Sequence, residues 1–143
     1  MDGERVLLVD DEIEFIQTLS ERLEARGLTV ELAQNGPEAL KKVSEGPFDA
    51  IVLDLAMPGM DGIETLSLLR KDHPEMQVIL LTGHATVEKG VEAIKLGAMD
   101  FLEKPVGIQE LMEKVKEARE KRQAAVEEKT KQMIADIVRT KGW

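Results

Sequence analysis

Short apolar runs alternate with longer amphipathic stretches along most of the chain. Runs with strand-like composition predict five β-strands, at 5–9, 29–33, 50–53, 78–81 and 99–102. The stretches between them carry apolar residues at helical spacing and predict helices at 13–26, 37–44, 62–70 and 86–96, with a long helix from about 107. Strands that alternate with helices are typical of a parallel sheet covered by helices on both faces and joined by right-handed crossovers.

The strands also differ in composition, and the difference predicts their places in the sheet. Residues 6–9, 51–53 and 78–81 are continuously apolar, as expected of central strands buried on both faces, whereas 29–33 alternates like an edge strand. Glycines support the boundaries: Gly27 is expected to end the first helix as a left-handed cap, and the turn after the third strand contains Gly59 and Gly62, which are able to take a positive φ. We therefore predict an α/β fold with a doubly wound five-stranded parallel sheet.

Length and composition are sufficient for one domain with an extension. The chain has 143 residues, 43% of them hydrophobic and 33% charged, which is enough for one core and short for two. It contains no cysteine, no pattern of a signal peptide and no run of about 20 apolar residues that would span a membrane. We expect a cytoplasmic protein without a membrane segment.

Charge is distributed unevenly along the chain. Residues 1–105 carry 10 basic and 21 acidic side chains, whereas residues 106–143 carry 9 and 7. An acidic body repels nucleic acid, and the basic residues of the tail are interspersed with glutamates. We therefore expect no direct binding to nucleic acid.

Charged residues follow three of the predicted strands at the point where each strand ends. Asp10 and Asp11 follow the first, Asp54 ends the third and Lys104 follows the fifth. Because the carboxyl ends of parallel strands share one edge of the sheet, these side chains are expected to converge. A buried ionised carboxylate is unfavourable without a nearby cation, and clustered carboxylate oxygens suit Mg²⁺. We predict a magnesium site at this edge.

Each of these residues also has a structural interpretation. Asp11 is a candidate cap for the following helix, and Asp54 is a candidate ion-pair partner of Lys104. Thr82, at the end of the fourth strand, can be a simple terminal hydroxyl, although the glycine after it would allow a phosphoryl oxygen to approach the backbone. Taken alone, Phe101 is a core residue.

Four short motifs lie at the predicted strand ends, at residues 8–12, 53–62, 81–83 and 101–105. In this order they resemble the motifs of the receiver domain of two-component response regulators, over residues 4 to about 120. The resemblance implies a flavodoxin-like sheet in the order 2-1-3-4-5. It also implies a magnesium site formed by Asp11, Asp54 and the backbone carbonyl of Ala56, with Asp10 acting mainly through water.

The resemblance further implies that Asp54 is the phosphorylated aspartate. Thr82 and Lys104 would contact the phosphoryl group, and Phe101 would be an aromatic switch residue that moves together with Thr82. The donor would be a sensor histidine kinase or a phosphotransfer protein, and the surface formed by the fourth helix, fifth strand and fifth helix would change. The only catalysis expected is self-catalysed phosphotransfer and autodephosphorylation.

Residues 82–98 look most like receivers attached to transcriptional activator ATPases, but no ATPase or DNA-binding domain follows here. A free-standing relay protein and the regulatory fragment of a larger activator are both compatible with the sequence, and the output partner is open. An aspartate-nucleophile phosphohydrolase is disfavoured because Ala56 stands where its second aspartate would be needed. A phosphorylation-independent scaffold is disfavoured because every expected acceptor residue is present.

The C-terminal region is predicted to be one long helix. No glycine or proline occurs between Gly107 and Gly142, and apolar residues of its first turns form a stripe that faces the core. We predict a receiver domain at 1–120 and a helical extension at 121–143. The 3-4 spacing of Val126, Thr130, Met133 and Ile137 is compatible with a homodimer through this helix, and equally with a solvated helix.

Overall fold

The computed structural model describes residues 3–55, 57, 62–83 and 87–141. The strands are β1 (Arg5–Val9), β2 (Thr29–Ala33), β3 (Ala50–Asp54), β4 (Val78–Thr82) and β5 (Asp100–Glu103). The helices are α1 (Ile13–Glu24), α2 (Gly36–Glu45), α3 (Gly62–Asp72), α4 (Val87–Lys95) and α5 (Ile108–Lys141). The strands pair in parallel in the order β2-β1-β3-β4-β5, which confirms the predicted doubly wound, flavodoxin-like α/β fold.

Each face of the sheet is covered by its own apolar cluster. Leu7 and Val9 of β1 belong to the cluster that includes residues of α2, α3 and α4, whereas Val6 and Leu8 belong to the cluster that includes residues of α1 and α5. Successive side chains of a strand point to opposite faces, so the apolar residues of the three central strands fill both clusters. β2 is partly exposed at the edge, as its alternating composition predicts.

The strand ends differ slightly from their predicted positions. β3 and β4 each extend one residue further, to Asp54 and Thr82, because Asp54 is paired in register with Leu81 and Thr82 with Glu103. β5 begins one residue later than predicted, at Asp100. These shifts bring Asp54 and Thr82 into the last hydrogen-bonded positions of their strands.

Two of the glycine predictions have different outcomes. Gly27 follows α1 with a φ of 93°, as predicted. Gly62 does not use the positive φ that glycine permits, and begins α3 instead. A Cβ atom at Gly62 would lie 2.6 Å from both the Asp54 carbonyl oxygen and Leu55 Cα, so glycine is needed there for close approach of α3 to the end of β3. Gly59 lies outside the described residues.

α5 is 34 residues long and consists of a packed part and an exposed part. Leu111, Val115 and Ala118 are fully buried against the sheet face shared with α1, and they confirm the predicted core-facing stripe. Beyond residue 124 the described side chains of α5 are largely exposed. Within the described part of the chain, no helix has both the length and the apolar character needed to cross a bilayer.

Two arginines of α5 fasten the helix to the amino end of the sheet. Arg119 Nη1 donates to Oε1 of Glu4 at 2.8 Å, and Glu4 is only 4% exposed. One turn later, Arg122 Nη1 lies 3.7 Å from Oδ1 of Asp49, whose other oxygen accepts from the backbone N–H of Arg5. The root of the extension is therefore held at the end of the sheet opposite the acidic residues that follow β1.

Candidate functional site

Three aspartates converge at the carboxyl ends of β1 and β3. β1 and β3 are neighbours with Val9 paired to Leu53, so Asp10 and Asp54 follow at adjacent positions. Carboxylate oxygens of Asp10, Asp11 and Asp54 all lie within 4.8 Å of one another. Asp10 and Asp54 are buried, whereas Asp11 is exposed, so the cluster reaches the surface through Asp11.

The carboxylate of Asp10 is fixed on both sides. Its Oδ1 accepts from the backbone N–H of Glu12 at 2.9 Å, and its Oδ2 accepts from Nζ of Lys104 at 2.8 Å. The N-cap residue of α1 is Glu12, with no side-chain capping bond, so the interpretation of Asp11 as a helix cap is wrong. Asp10 takes up the backbone donor instead, which leaves the Asp11 side chain pointing outward.

Lys104 contacts several groups around the cluster. Its Nζ lies 2.8 Å from Asp10, 3.2 Å from Glu12 and 3.8 Å from Asp54 Oδ1, and 4.7 Å from the ring centroid of Phe15. The ion pair between Lys104 and Asp54 that the structural interpretation predicts is therefore present, although the shorter hydrogen bond of Lys104 goes to Asp10.

The protonation of Lys104 follows from these contacts. Burial alone lowers the pKa of the ammonium group, but the hydrogen bond to Asp10 and the charge of Asp54 outweigh burial, so the pKa of Lys104 is raised above its ordinary value. The side chain stays charged at neutral pH. One positive charge thus faces three aspartates and Glu12, and the site retains an excess of negative charge.

Thr82 and Phe101 lie on the neighbouring strands β4 and β5. Thr82 is almost fully buried, and its Oγ1 donates to the carbonyl of Gly83 at 3.0 Å, while its own carbonyl accepts from Lys104 N–H at 2.9 Å. Phe101 is half-buried and packs against the α2–α3–α4 cluster and against Gly90 of α4. The contacts in this structure thus match the structural interpretations, a strand-terminal hydroxyl for Thr82 and a core residue for Phe101.

The remaining predicted residue, Ala56, lies outside the described residues. Sequence reasoning overlooked Glu12 and Phe15, which contact Lys104 from α1. Their signal was present, since Glu12 follows the aspartate pair directly and Phe15 lies one turn further along the same helix. Taken alone, these residues are also ordinary for the first turn of a helix.

A groove of 370 Å³ lies beside the acidic cluster. It is formed between α1 and the segment after β5 and is lined mainly by Phe15, Leu19, Pro105 and Val106. Phe15 is shared between the groove and the cation contact of Lys104. A largely apolar surface therefore adjoins the charged site without including its aspartates.

Comparison with known proteins agrees with this geometry. The sequence model of the response regulator receiver domain matches residues 6–116. The chain is 42% identical over 120 residues to the transcriptional regulatory protein ZraR of Klebsiella oxytoca, an alignment that covers 82% of this chain and 27% of ZraR. It is 42% identical over 102 residues to a putative NtrX-like response regulator of Rickettsia conorii, covering 70% and 22% of the two chains.

A solved structure gives the same result for the fold. A response regulator receiver domain protein from Clostridium thermocellum superposes with a TM-score of 0.82 at 31% identity, covering 85% of this chain and 98% of that one. The chain spans about a quarter of the length of these two curated relatives, ZraR and the NtrX-like regulator.

Proposed function

The chain belongs to the receiver domain family of response regulators, and we propose that Asp54 is its phosphoryl acceptor. The family is regulatory rather than catalytic and acts in two-component signalling, where phosphorylation and Mg²⁺ binding are typical. The observation that carries the proposal is the acidic cluster: a buried Asp54 carboxylate beside Asp10, Asp11 and the ammonium group of Lys104.

The proposed reaction is a nucleophilic displacement at phosphorus. An oxygen of Asp54 attacks the phosphorus atom of a phosphohistidine, and the phosphorus–nitrogen bond breaks as the new phosphorus–oxygen bond forms. The departing imidazole keeps the bonding electron pair and takes a proton from water. With a small acyl phosphate as donor, the carboxylate of that donor leaves instead. The product is an aspartyl phosphate, whose hydrolysis resets the site.

The donor set of the cluster fits Mg²⁺. Carboxylate oxygens within 4.8 Å of one another are the hard ligands that this ion takes, and Lys104 alone leaves the cluster negative. We propose that Asp11, Asp54 and the carbonyl of Ala56 bind the ion, with Asp10 acting mainly through water. When bound, Mg²⁺ would supply positive charge next to the incoming phosphoryl oxygens.

Lys104 and Thr82 are proposed to contact the phosphoryl group. The ammonium group of Lys104, held 3.8 Å from Asp54, would neutralise part of the charge on the transferred oxygens. The hydroxyl of Thr82 would exchange its bond to the Gly83 carbonyl for one to a phosphoryl oxygen. Phe101 would then turn towards the space that Thr82 leaves, and the surface of α4, β5 and α5 would change.

The phosphoryl donor is proposed to be a sensor histidine kinase or a phosphotransfer protein. A protein donor would bury the apolar groove between α1 and the segment after β5 while it presents its phosphohistidine to the adjacent cluster. The downstream partner is proposed to be a protein that recognises the altered α4–β5–α5 surface. This mechanism is the same for a free-standing relay protein and for the regulatory part of a transcriptional regulator.

We also propose a homodimer through the exposed part of α5. Val126, Met133 and Ile137 are 38–56% exposed and lie along one side of the helix with 3-4 spacing. Sedimentation equilibrium should detect association that Met133→Glu weakens and that Gln132→Glu, which adds the same charge on the side of the helix away from this stripe, leaves largely unchanged. Equal association of all three proteins would contradict this surface.

Intact-mass spectrometry tests the acceptor directly. After incubation with phosphoramidate and Mg²⁺, the protein should gain one phosphoryl group, and the Asp54→Asn variant or an excess of chelator should abolish the gain. Asp72→Asn, the same change at an exposed aspartate of α3, should be phosphorylated like the parent protein. Phosphorylation that persists in Asp54→Asn would refute the assignment.

A further inference from the structure

The ring of Phe101 lies against a glycine in the middle of α4. A Cβ atom built on Gly90 would lie 3.4 Å from Cδ2 and Cγ of Phe101 and 3.7 Å from Cδ1. These three atoms form one side of the ring, so the ring faces the helix backbone at this residue. Gly90 is buried although it belongs to a helix of only nine residues.

Glycine at this place requires an explanation. It is among the least favourable residues within a helix, because it gives the backbone more freedom to lose on folding. α4 is short, and three of its large apolar residues or those directly after it, Val91, Ile94 and Leu96, are exposed. Among the side chains of α4 that the structure describes, the buried positions are those of the small residues Gly90 and Ala93. The helix thus gives up intrinsic stability where it contacts Phe101.

We infer that Gly90 is a positioning residue that seats the Phe101 ring between α4 and β5. The inference rests on the proposed function, in which movement of Phe101 changes the α4–β5–α5 surface. The absence of a branched side chain at residue 90 leaves room for the ring in its half-buried position. The size of the side chain at residue 90 therefore sets the conformational equilibrium between this position of the Phe101 ring and its other positions.

Two substitutions at Gly90 separate these effects. A methyl group at 3.4 Å makes an ordinary contact with the ring, so Gly90→Ala should keep the ring in place and stabilise the helix. Gly90→Val adds branches about 1.5 Å beyond that position, and they would overlap the ring. The ring must then leave its seat, or α4 must move away from β5.

Fluorine NMR of protein labelled with 4-fluorophenylalanine reports on the ring without any phosphate. The chain has three phenylalanines, and the Phe101 resonance is assigned by its loss in Phe101→Leu. We expect Gly90→Val to shift the Phe101 resonance and to leave those of Phe15 and Phe48 in place. Glu92→Val, the same new side chain at an exposed position of α4, is the control and should shift none of them. An unshifted Phe101 resonance in folded Gly90→Val would overturn the inference.

A double-mutant cycle covers the case in which Gly90→Val folds poorly. If the valine side chain overlaps the Phe101 ring, the loss of stability caused by Gly90→Val must be smaller in a Phe101→Ala background. An equal loss of stability in both backgrounds, or failure to fold in both, would refute the inference that Gly90 positions the Phe101 ring.

Beryllofluoride with Mg²⁺, a mimic of the phosphoryl group, links the seat to the proposed function. In Gly90→Val the ring is already displaced before beryllofluoride binds. The apparent affinity of this variant for beryllofluoride should therefore be roughly threefold to tenfold higher than that of the parent protein, and the affinity of Glu92→Val should be unchanged. An affinity equal to that of the parent would reject the coupling. If the parent protein itself shows no response, the proposed function fails, whereas the NMR shift and the cycle still decide whether Gly90 seats the ring.

Discussion

Replacement of Asp54 by asparagine should stabilise the protein when no metal is present. The carboxylates of Asp10 and Asp54 are both buried and lie at most 4.8 Å apart, a separation at which two unit charges repel by about 3.5 kcal/mol at an effective dielectric constant of about 20. The ammonium group of Lys104, 3.8 Å from Asp54 Oδ1, offsets this with an attraction of about 4.4 kcal/mol.

These two interactions nearly cancel, so the smaller contributions decide the sign. Asp11 adds a further repulsion, reduced because its side chain is exposed. Burial of the charged Asp54 carboxylate, with its side chain only 6% exposed, adds a desolvation cost. Asparagine removes both contributions and keeps an oxygen that can accept hydrogen bonds. We expect Asp54→Asn to be more stable by about 1–3 kcal/mol in chelator.

Urea unfolding at neutral pH measures this difference. In chelator the midpoint of Asp54→Asn should lie above that of the parent protein with a similar slope, and Asp72→Asn, at an exposed position, should change the midpoint little. With Mg²⁺ the parent protein should gain stability through binding, and Asp54→Asn should gain less. A variant less stable than the parent in chelator would show that Lys104 already compensates the cluster, and an equal response to Mg²⁺ would exclude Asp54 as a ligand.

Three further perturbations follow from contacts outside the cluster. Gly62→Ala should lower the free energy of unfolding by about 1–3 kcal/mol, because its Cβ would overlap backbone atoms 2.6 Å away; an unchanged melting temperature would contradict this. Arg119→Met should lower the free energy of unfolding in urea by about 1–3 kcal/mol, because buried Glu4 then lacks this cation. Adding Glu4→Gln to that variant should recover part of the loss, and no recovery would refute the unpaired Glu4 charge as its cause. Burial raises the pKa of Asp100, but Lys114 outweighs it and holds that pKa below its ordinary value, so this stabilisation is present above pH 3.8 and lost as the pH falls further. Acid titration of Asp100→Asn should show a smaller loss there, and an identical acid limb would count against the pair.

Much of the fold could be predicted because its determinants are local. Continuous apolarity marks the central strands and alternation marks β2, so the sheet with its edge follows from short windows of sequence. The convergence of Asp10 and Asp54 could be predicted as well, since the ends of adjacent parallel strands must meet. The register pairs that extend β3 and β4 by one residue depend on the neighbouring strand, and no local window contains them.

The contacts that sequence reasoning missed all depend on how far a side chain reaches between elements. Lys104 follows an edge strand, and its preference for Asp10 over Asp54 is set by the course of the chain after β5. The requirement for glycine at position 62, and for a small residue at position 90, arises from Asp54 and Phe101, which are 8 and 11 residues away in sequence in strands β3 and β5. A glycine in a sequence suggests a turn, whereas its use as space for a neighbour becomes visible only when that neighbour is in place.

The two ends of the sheet differ in how far their acidic side chains are paired with cations. At the amino end, Glu4 and Asp49 each face an arginine of α5, so that end is close to electrostatic balance in the protein alone. At the carboxyl end, the aspartates that surround Asp54 outnumber the single cation Lys104. Of these two ends, the carboxyl end is therefore the one at which a ligand that carries positive charge gains more free energy, and a change of charge there acts most directly on the nearby strand ends of β1, β3 and β5. Because the arginine pairs lie at the other end of the sheet, loss of Arg119 should loosen the packing of α5 without abolishing the proposed phosphorylation of Asp54.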